Sequence, residues 1–504
     1  MQKAEARIAK NTLFLYARMF LILLINLYTS RVVLKTLGFE DYGIYNVVGG
    51  LVALFAFMNS SLSGAASRFI AYSIGKENGQ SKSVFSTLLS IHFIVAAVLV
   101  LTCETVGLLF FNQLVIPESR IYAAKITFHL SVAATAISVL RIPYNASIIA
   151  HEDMKVFAYV SIIEVILKLT IVFLLNVIIY DKLITYSLLY LGIVILVSLI
   201  YTIYCVSTYS DALTFIGFKK DIFKKILSYF SWDLYGNLSV VANAQGTSII
   251  LNMFGGVVVN SACAIANQVR GAVYGFASNF MLAMNPQIVK NYAAGDIADM
   301  INLMKRGGIL SFMLLWLFSL PLILETEYVL TIWLGEYPEY TVILTRLALL
   351  FSLLQTIYGS VNIGIHATGK IIMLSLISGS ILLTAVFVSF FAVKFGAPIW
   401  IPFLLNVVAV GINAAVNINI LHSALPAFKP LTYCVDVYLK SLSVAIITSL
   451  VPALIWISME PSFFRLLLII VTLLLTEIIV AYYLVLTHDE RCTIIEKLSK
   501  LKHE

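Results

Sequence analysis

Residues 184–207 read ITYSLLYLGIVILVSLIYTIYCVS, 24 consecutive positions without a charged side chain. A helix rises 1.5 Å per residue, so this run reaches about 36 Å, longer than the roughly 30 Å hydrocarbon core of a bilayer. A membrane barrel would instead alternate apolar and polar residues over segments of about ten. The run therefore reads as a transmembrane helix. Working outward, thirteen more runs of this kind occur, at about residues 12–37, 43–67, 84–111, 122–148, 156–180, 227–254, 258–285, 307–334, 341–366, 371–394, 398–422, 432–457 and 463–487. Fourteen spans consume nearly all of the 504 residues. The basic residues before the first run are not followed by a short core and a small-residue cleavage site, so that span is expected to be retained.

The composition agrees. Charged residues make up 12% of the chain and hydrophobic ones 61%, against roughly 25% charged in soluble domains. The expected fold is an all-α polytopic membrane protein of about 14 transmembrane helices, which excludes water-soluble enzymes and nucleic-acid-binding proteins. Twenty Lys and Arg fall in one set of connections, including Lys219, Lys220, Lys224 and Lys225. The opposite set holds Arg120, Lys182, Lys394 and Arg465, with Lys125 just inside a span end. This positive-inside bias places both termini in the cytoplasm.

Two short texts repeat at nearly one shift: residues 71–75 (AYSIG) resemble residues 291–295 (NYAAG), and His151 with Lys155 resembles His366 with Lys370. Internal repeats are common in transporters. The expected organisation is a six-helix lobe over 1–207, a cytoplasmic amphipathic linker over 208–228, a second, pseudo-symmetric six-helix lobe over 229–424, and two extra helices with a tail over 425–504.

Little points to catalysis or to a cofactor. Cys103, Cys205, Cys263, Cys434 and Cys492 are scattered, without a CxxC pair or a Cys/His cluster, so no metal is expected. Gly364 to Lys370 begins like a phosphate-binding loop, but Ile371 stands where a magnesium-holding Ser or Thr belongs. His129, His151 and His366 have no carboxylate or nucleophile at useful spacing. With no ATPase domain, energy has to come from an ion gradient, the membrane potential or the substrate's own gradient.

A charge at mid-bilayer costs about 2.5–3.5 kcal/mol on insertion scales, so it usually faces a partner or a cavity. Glu164/Lys168 and Asp436/Lys440 stand four residues apart, where opposite charges meet on a helix, and read as structural pairs. Lys35, Arg141 and Arg346 lie near span ends and can snorkel. Arg18, Arg31 and Arg270 lie deeper, and only Asp233 and Glu477 stand against them. Spans 227–254 and 258–285 are too polar to face lipid: Ser231, Asp233, Asn237, Asn243, Gln245 and Asn252 lie on one, Asn260, Asn267, Gln268, Arg270, Ser278, Asn279 and Asn285 on the other. Gly271-x-x-x-Gly275 suits a close helix contact. The arginine excess favours an anionic ligand, because guanidinium groups grip phosphate oxygens in pairs.

The texts at 11–18 (NTLFLYAR), 30–38 (SRVVLKTLG) and 41–50 (DYGIYNVVGG), followed by Ser67-Arg68-Phe69, resemble Wzx-type O-antigen and capsule flippases of the multidrug/oligosaccharidyl-lipid/polysaccharide exporter superfamily. The resemblance implies two helical lobes around a central cationic cavity. It also implies transfer of an undecaprenyl-pyrophosphate-linked oligosaccharide from the cytoplasmic to the periplasmic leaflet of the bacterial inner membrane by alternating access. In the related lipid II flippases, arginines on spans 1, 2 and 8 line the cavity; Arg18, Arg31, Arg68 and Arg270 occupy comparable spans here. Asn267 and Asp233 complete the expected substrate-binding set. Implied partners are the lipid-linked glycan, membrane lipids, a coupling ion and other polysaccharide-assembly proteins. Two alternatives stay open, a cation-coupled multidrug antiporter of the same superfamily and a membrane glycan polymerase or ligase. The second suits poorly the outer loops, which reach only about ten residues.

Overall fold

A computed structural model describes residues 12–16, 18–22, 25, 36–37, 41, 44–45, 56–76, 80–108, 117–175, 180–212, 219–486 and 491. Among them helices dominate and no strand occurs. Nine helices of this set are long and apolar enough to cross a bilayer: α2 (Ser81–Thr105), α3 (Glu118–Ala150), α5 (Lys182–Thr208), α7 (Ile297–Leu324), α9 (Thr341–Thr368), α10 (Leu374–Lys394), α11 (Ile401–Ala424), α12 (Pro430–Ser458) and α13 (Phe463–Val485). Three further long helices are α1 (Ala56–Gly75), α4 (Met154–Leu174) and α6 (Lys220–Ala294), and a short α8 (Thr326–Leu334) follows α7. The protein is a multi-pass membrane protein.

The two polar spans expected at 227–254 and 258–285 form the two arms of α6, two helices that meet at a kink at Gly256 with φ 73° and ψ −172°. That conformation is essentially restricted to glycine, since any Cβ strains it. The chain divides into two compact units, Met1–Leu238 with Leu282–Asp296, and Ser239–Met281 with Ile297–Glu504. Both ends of α6 thus belong to the first unit and its middle to the second.

In the first unit α3 packs against α1, α2 and α5, around a core that includes Leu62, Phe128, Val132, Leu183 and Phe230. Arg120 bridges Asp41 and Asp181, and Asp181 caps α5 by accepting the Leu183 and Ile184 amides. Burial pushes the Asp181 carboxyl up, but the Ile184 amide and the Arg120 guanidinium outweigh it and hold it below the ordinary carboxylate range. Residues 71–75 and their counterpart 291–295 meet in this unit. Tyr72 and Tyr292 lie 6.4 Å apart by ring centroids, and Lys290 Nζ donates to Glu152 at 2.7 Å. A Cβ on Gly75 would come within 2.7 Å of the Lys290 carbonyl oxygen. Gly75→Val is therefore expected to displace the 282–296 segment and destabilise the protein by about 1–3 kcal/mol, as overpacking does. A melting curve in detergent unchanged from wild type would refute that close contact.

In the second unit α9 packs against α7 and α11, and α12 pairs with α13, which also rests on α7. The expected Asp436/Lys440 pair does not form. Asp436 instead receives Lys305 of α7 at 2.8 Å, from within the π-helical stretch Cys434–Leu439. The Glu164/Lys168 pair forms at 2.8 Å and takes a third member, Arg141, at 3.1 Å. Arg346 donates to the Ile323 carbonyl at 3.1 Å and to Thr326 at 3.2 Å, at the end of α7. Among the described residues Gly271 makes no close helix contact, since none of their atoms lies within 4 Å of where its Cβ would stand.

Candidate functional site

Of the residues expected to bind substrate, Arg270 and Asn267 come together on the middle of α6, in the second unit. They line a small pocket with Asn243, Thr247, Phe351 and Asn406, with about 40 Å³ of free space. That is room for about one or two waters. Helical spacing puts Asn267 and Arg270 on one stripe, while Asn243 and Thr247 project from the other arm of α6.

The pocket is built from amides. Asn243 Nδ2 donates to Asn406 Oδ1 at 2.8 Å and to the Leu382 carbonyl at 3.0 Å, and Asn406 Nδ2 donates to Thr247 Oγ1 at 3.0 Å. Asn267 Nδ2 donates to Cys263 Sγ at 3.4 Å. Arg270 stacks over Phe351, its Cζ 4.9 Å from the ring centroid. No carboxylate pairs with Arg270 among the described residues. A guanidinium has five donors and no acceptor capacity, and a cation over a ring face is held electrostatically. The pocket can therefore offer directed N–H groups and positive charge to an anionic oxygen cluster, with amides nearby for hydroxyl groups.

The first unit holds Arg18, Arg68 and Asp233. Arg18 lies over Phe157 at 4.4 Å, with its buried Nε lacking a hydrogen-bond partner. Arg68, on α1, sits within an aromatic group, its Cζ 4.6 Å from the Phe69 ring, 5.1 Å from Tyr229 and 5.4 Å from Tyr72. Asp233, one turn beyond Tyr229 on α6, is buried and accepts from Asn237 Nδ2 at 2.9 Å, which also donates to Ser61 at 2.9 Å. Arg31 lies outside the described residues.

Three of these pocket residues escaped sequence reasoning, Asn406 on α11, Phe351 on α9 and Thr247 on α6. A signal for the first exists, because Asn406, Asn413 and Asn417 recur at helical spacing in an otherwise apolar run. Phe351 carries no such mark, since a phenylalanine in an apolar span is indistinguishable from a core residue.

The helical arrangement recurs in solved structures. A MATE transporter in complex with MaD3S superposes with a TM-score of 0.70, covering 84% of this chain and 97% of its own at 15% identity. The fold is that of the MATE transporters. An outward-facing multidrug resistance MATE family transporter of the MOP superfamily matches at 0.68 with 14% identity, covering 84% of this chain and 97% of that one. A MOP superfamily transporter from Pyrococcus furiosus, whose reversed binding-pocket polarity is taken to suggest a different function, matches at 0.62 with 14% identity, covering 84% and 96%. No protein-family profile matches the chain and no curated protein resembles it in sequence. Identities this low carry the MATE fold and not its substrates.

Proposed function

We propose that this protein is a transporter that moves a lipid-linked glycan pyrophosphate, an undecaprenyl-pyrophosphate oligosaccharide of the O-antigen or capsule type, across the bacterial inner membrane by alternating access. The observation that carries the reading is Arg270, a membrane-embedded guanidinium with no paired carboxylate among the described residues, held over Phe351 beside an amide-rich wall. A charge in that place is costly, and a pyrophosphate repays it by bidentate hydrogen bonding. The amides of Asn243, Asn267 and Asn406 suit sugar hydroxyls. Arg18, whose Nε is buried and unpartnered, supports the same polarity from the first unit, and Arg31, Arg68 and Asp233 are proposed as further substrate contacts. The lipid tail stays in the bilayer, where its many isoprenoid carbons are already apolar-solvated. Both termini are proposed to be cytoplasmic, with the lobes joined by the basic 208–228 linker and α12 and α13 appended.

The test is the leaflet position of lipid-linked oligosaccharide after depletion of this protein, read with a sugar-specific probe that reaches only the outer face of spheroplasts. Accumulated, probe-inaccessible precursor is the expected result; undiminished exposure rejects the reading. A cation-coupled multidrug antiporter is the second reading, favoured by the MATE fold and by the buried carboxylate of Asp233. It predicts raised drug susceptibility in the depleted strain with normal glycan exposure.

A further inference from the structure

Residues Phe463–Val480 of α13 read FFRLLLIIVTLLLTEIIV, and the buried face consists of Arg465, Ile469, Leu473, Glu477 and Val480. Glu477 is 6% exposed, and its Oε1 has no hydrogen-bond partner. α13 packs against α12 and α7. Thr476 Oγ1 lies 3.5 Å from the Thr448 carbonyl of α12, and Trp316 Nε1 of α7 donates to Thr448 Oγ1 at 3.0 Å. Glu477 therefore stands at the level where the three helices meet.

The ionisable groups on these elements are committed elsewhere. Arg465 donates to Glu325 at 2.6 Å, about three turns from Glu477 along α13. Lys305 holds Asp436 at 2.8 Å at the opposite end of the interface. Asp299, Lys440 and Glu460 are exposed, and Glu327 is exposed beside Arg346. Arg306 has a contact of its own, and Arg491 donates to the Tyr483 and Leu486 carbonyls. Tyr433 and Tyr438 bond to Ser360 and to the Ala414 carbonyl, Tyr482 and Tyr483 lie edge to face, and Cys434 sits in the π-helical segment near Asp436.

Between Glu477 and the Lys305–Asp436 pair, α7 and α12 place Ser311 and Ser441. Both are fully buried, and the Oγ of each has no partner. Gly308 against Val437 and Trp316 against Thr448 bracket this level. The Lys305–Asp436 pair beyond it is part-exposed, at 23% and 34%. Unsatisfied buried polar atoms are few in folded proteins and call for a reason. Glu477 Oε1, Ser311 Oγ and Ser441 Oγ are three such atoms on these helices, and the part-exposed Lys305–Asp436 pair lies at the next level beyond the serines.

An ionised carboxylate surrounded by apolar side chains requires a counter-charge. Among the described residues no side chain supplies one. We propose that Glu477 is a proton-binding site within the membrane, loaded past Ser311 and Ser441 from the Lys305–Asp436 end. The acid releases its proton to water, leaving the carboxylate, and regains it by the reverse step; no other bond changes. Its use as the coupling ion rests on the transport reading above, whereas proton binding at Glu477 does not.

Full-length protein in detergent, treated with N,N′-dicyclohexylcarbodiimide, which adds to carboxylic acids and spares carboxylates, tests the site by mass spectrometry of the α13 peptide. Glu477 is expected to be modified under mildly acidic conditions, with labelling that falls about tenfold per pH unit beyond its midpoint and ignores sodium. Absence of label in protein that melts normally, labelling indifferent to pH, or protection by sodium would each overturn the proposal. In a second measurement Glu477→Gln, which mimics the neutral acid, should match wild type in melting temperature at acidic pH and lose part of the decline that wild type shows on going to alkaline pH. An identical decline in both proteins would also overturn it. Neither measurement needs a transported substrate, so failure here and failure of the leaflet assay are distinguishable.

Discussion

Arg270→Ala is expected to abolish outer-leaflet delivery of the lipid-linked glycan while leaving the protein folded and inserted. The two effects separate because no acid among the described residues depends on Arg270. Its removal orphans no carboxylate and costs only the stacking on Phe351, about 0.5–2 kcal/mol. The substrate, in contrast, loses a charged, forked donor inside the membrane. Truncating one side of such a pair costs about 2–5 kcal/mol, or roughly 30-fold to a few thousand-fold in affinity. Arg270→Lys keeps the charge and loses the fork, so it should fall between alanine and wild type. Leaflet exposure in a strain carrying only the variant gives the measurement, with membrane abundance of the protein as the control. The sign discriminates between the two readings. For a cationic drug Arg270 is a like charge, so its removal should preserve or raise efflux. Normal glycan exposure with Arg270→Ala would defeat the pyrophosphate reading.

The largest effect on stability is expected at Arg465. Its guanidinium donates to Glu325 at 2.6 Å and also to the Met459 and Trp456 carbonyls. Both side chains of the ion pair are almost fully buried, at 7% and 1% exposure. Arg465→Ala leaves Glu325 ionised, desolvated and alone, which costs about 3–5 kcal/mol in comparable buried pairs. Thermal melting of purified variants in detergent checks this. The double variant Glu325→Leu/Arg465→Met should recover much of the loss, since two apolar groups of similar volume avoid the desolvation penalty altogether. A single variant as stable as wild type would mean that water reaches the pair.

The expected spans and the observed helices coincide over most of the described residues, and the reason is local. Whether a run such as 184–207 can cross a bilayer depends on its own side chains, and α5 (Lys182–Thr208) follows it within two residues at either end. The polar character of the α6 arms was equally legible, because amides and an arginine do not face lipid. The break between the two spans was legible too, and the structure concentrates it in a single residue, Gly256, with its positive φ.

The partners of the charges were not legible. Four-residue spacing identified Lys168 for Glu164 and missed Arg141, which arrives from another helix. The same rule failed for Asp436, because Lys305 arrives from α7 and takes the place of Lys440. Arg465 and Glu325 are 140 positions apart in the chain. What the sequence by itself determined is the medium and the helices, since hydropathy and periodicity are properties of neighbouring residues. The tertiary structure alone decided which buried charges are neutralised and which, as with Arg270 and Glu477, are left over. That remainder depends on how distant helices register against one another, and the burial that makes an unpaired charge costly exists only once they have packed.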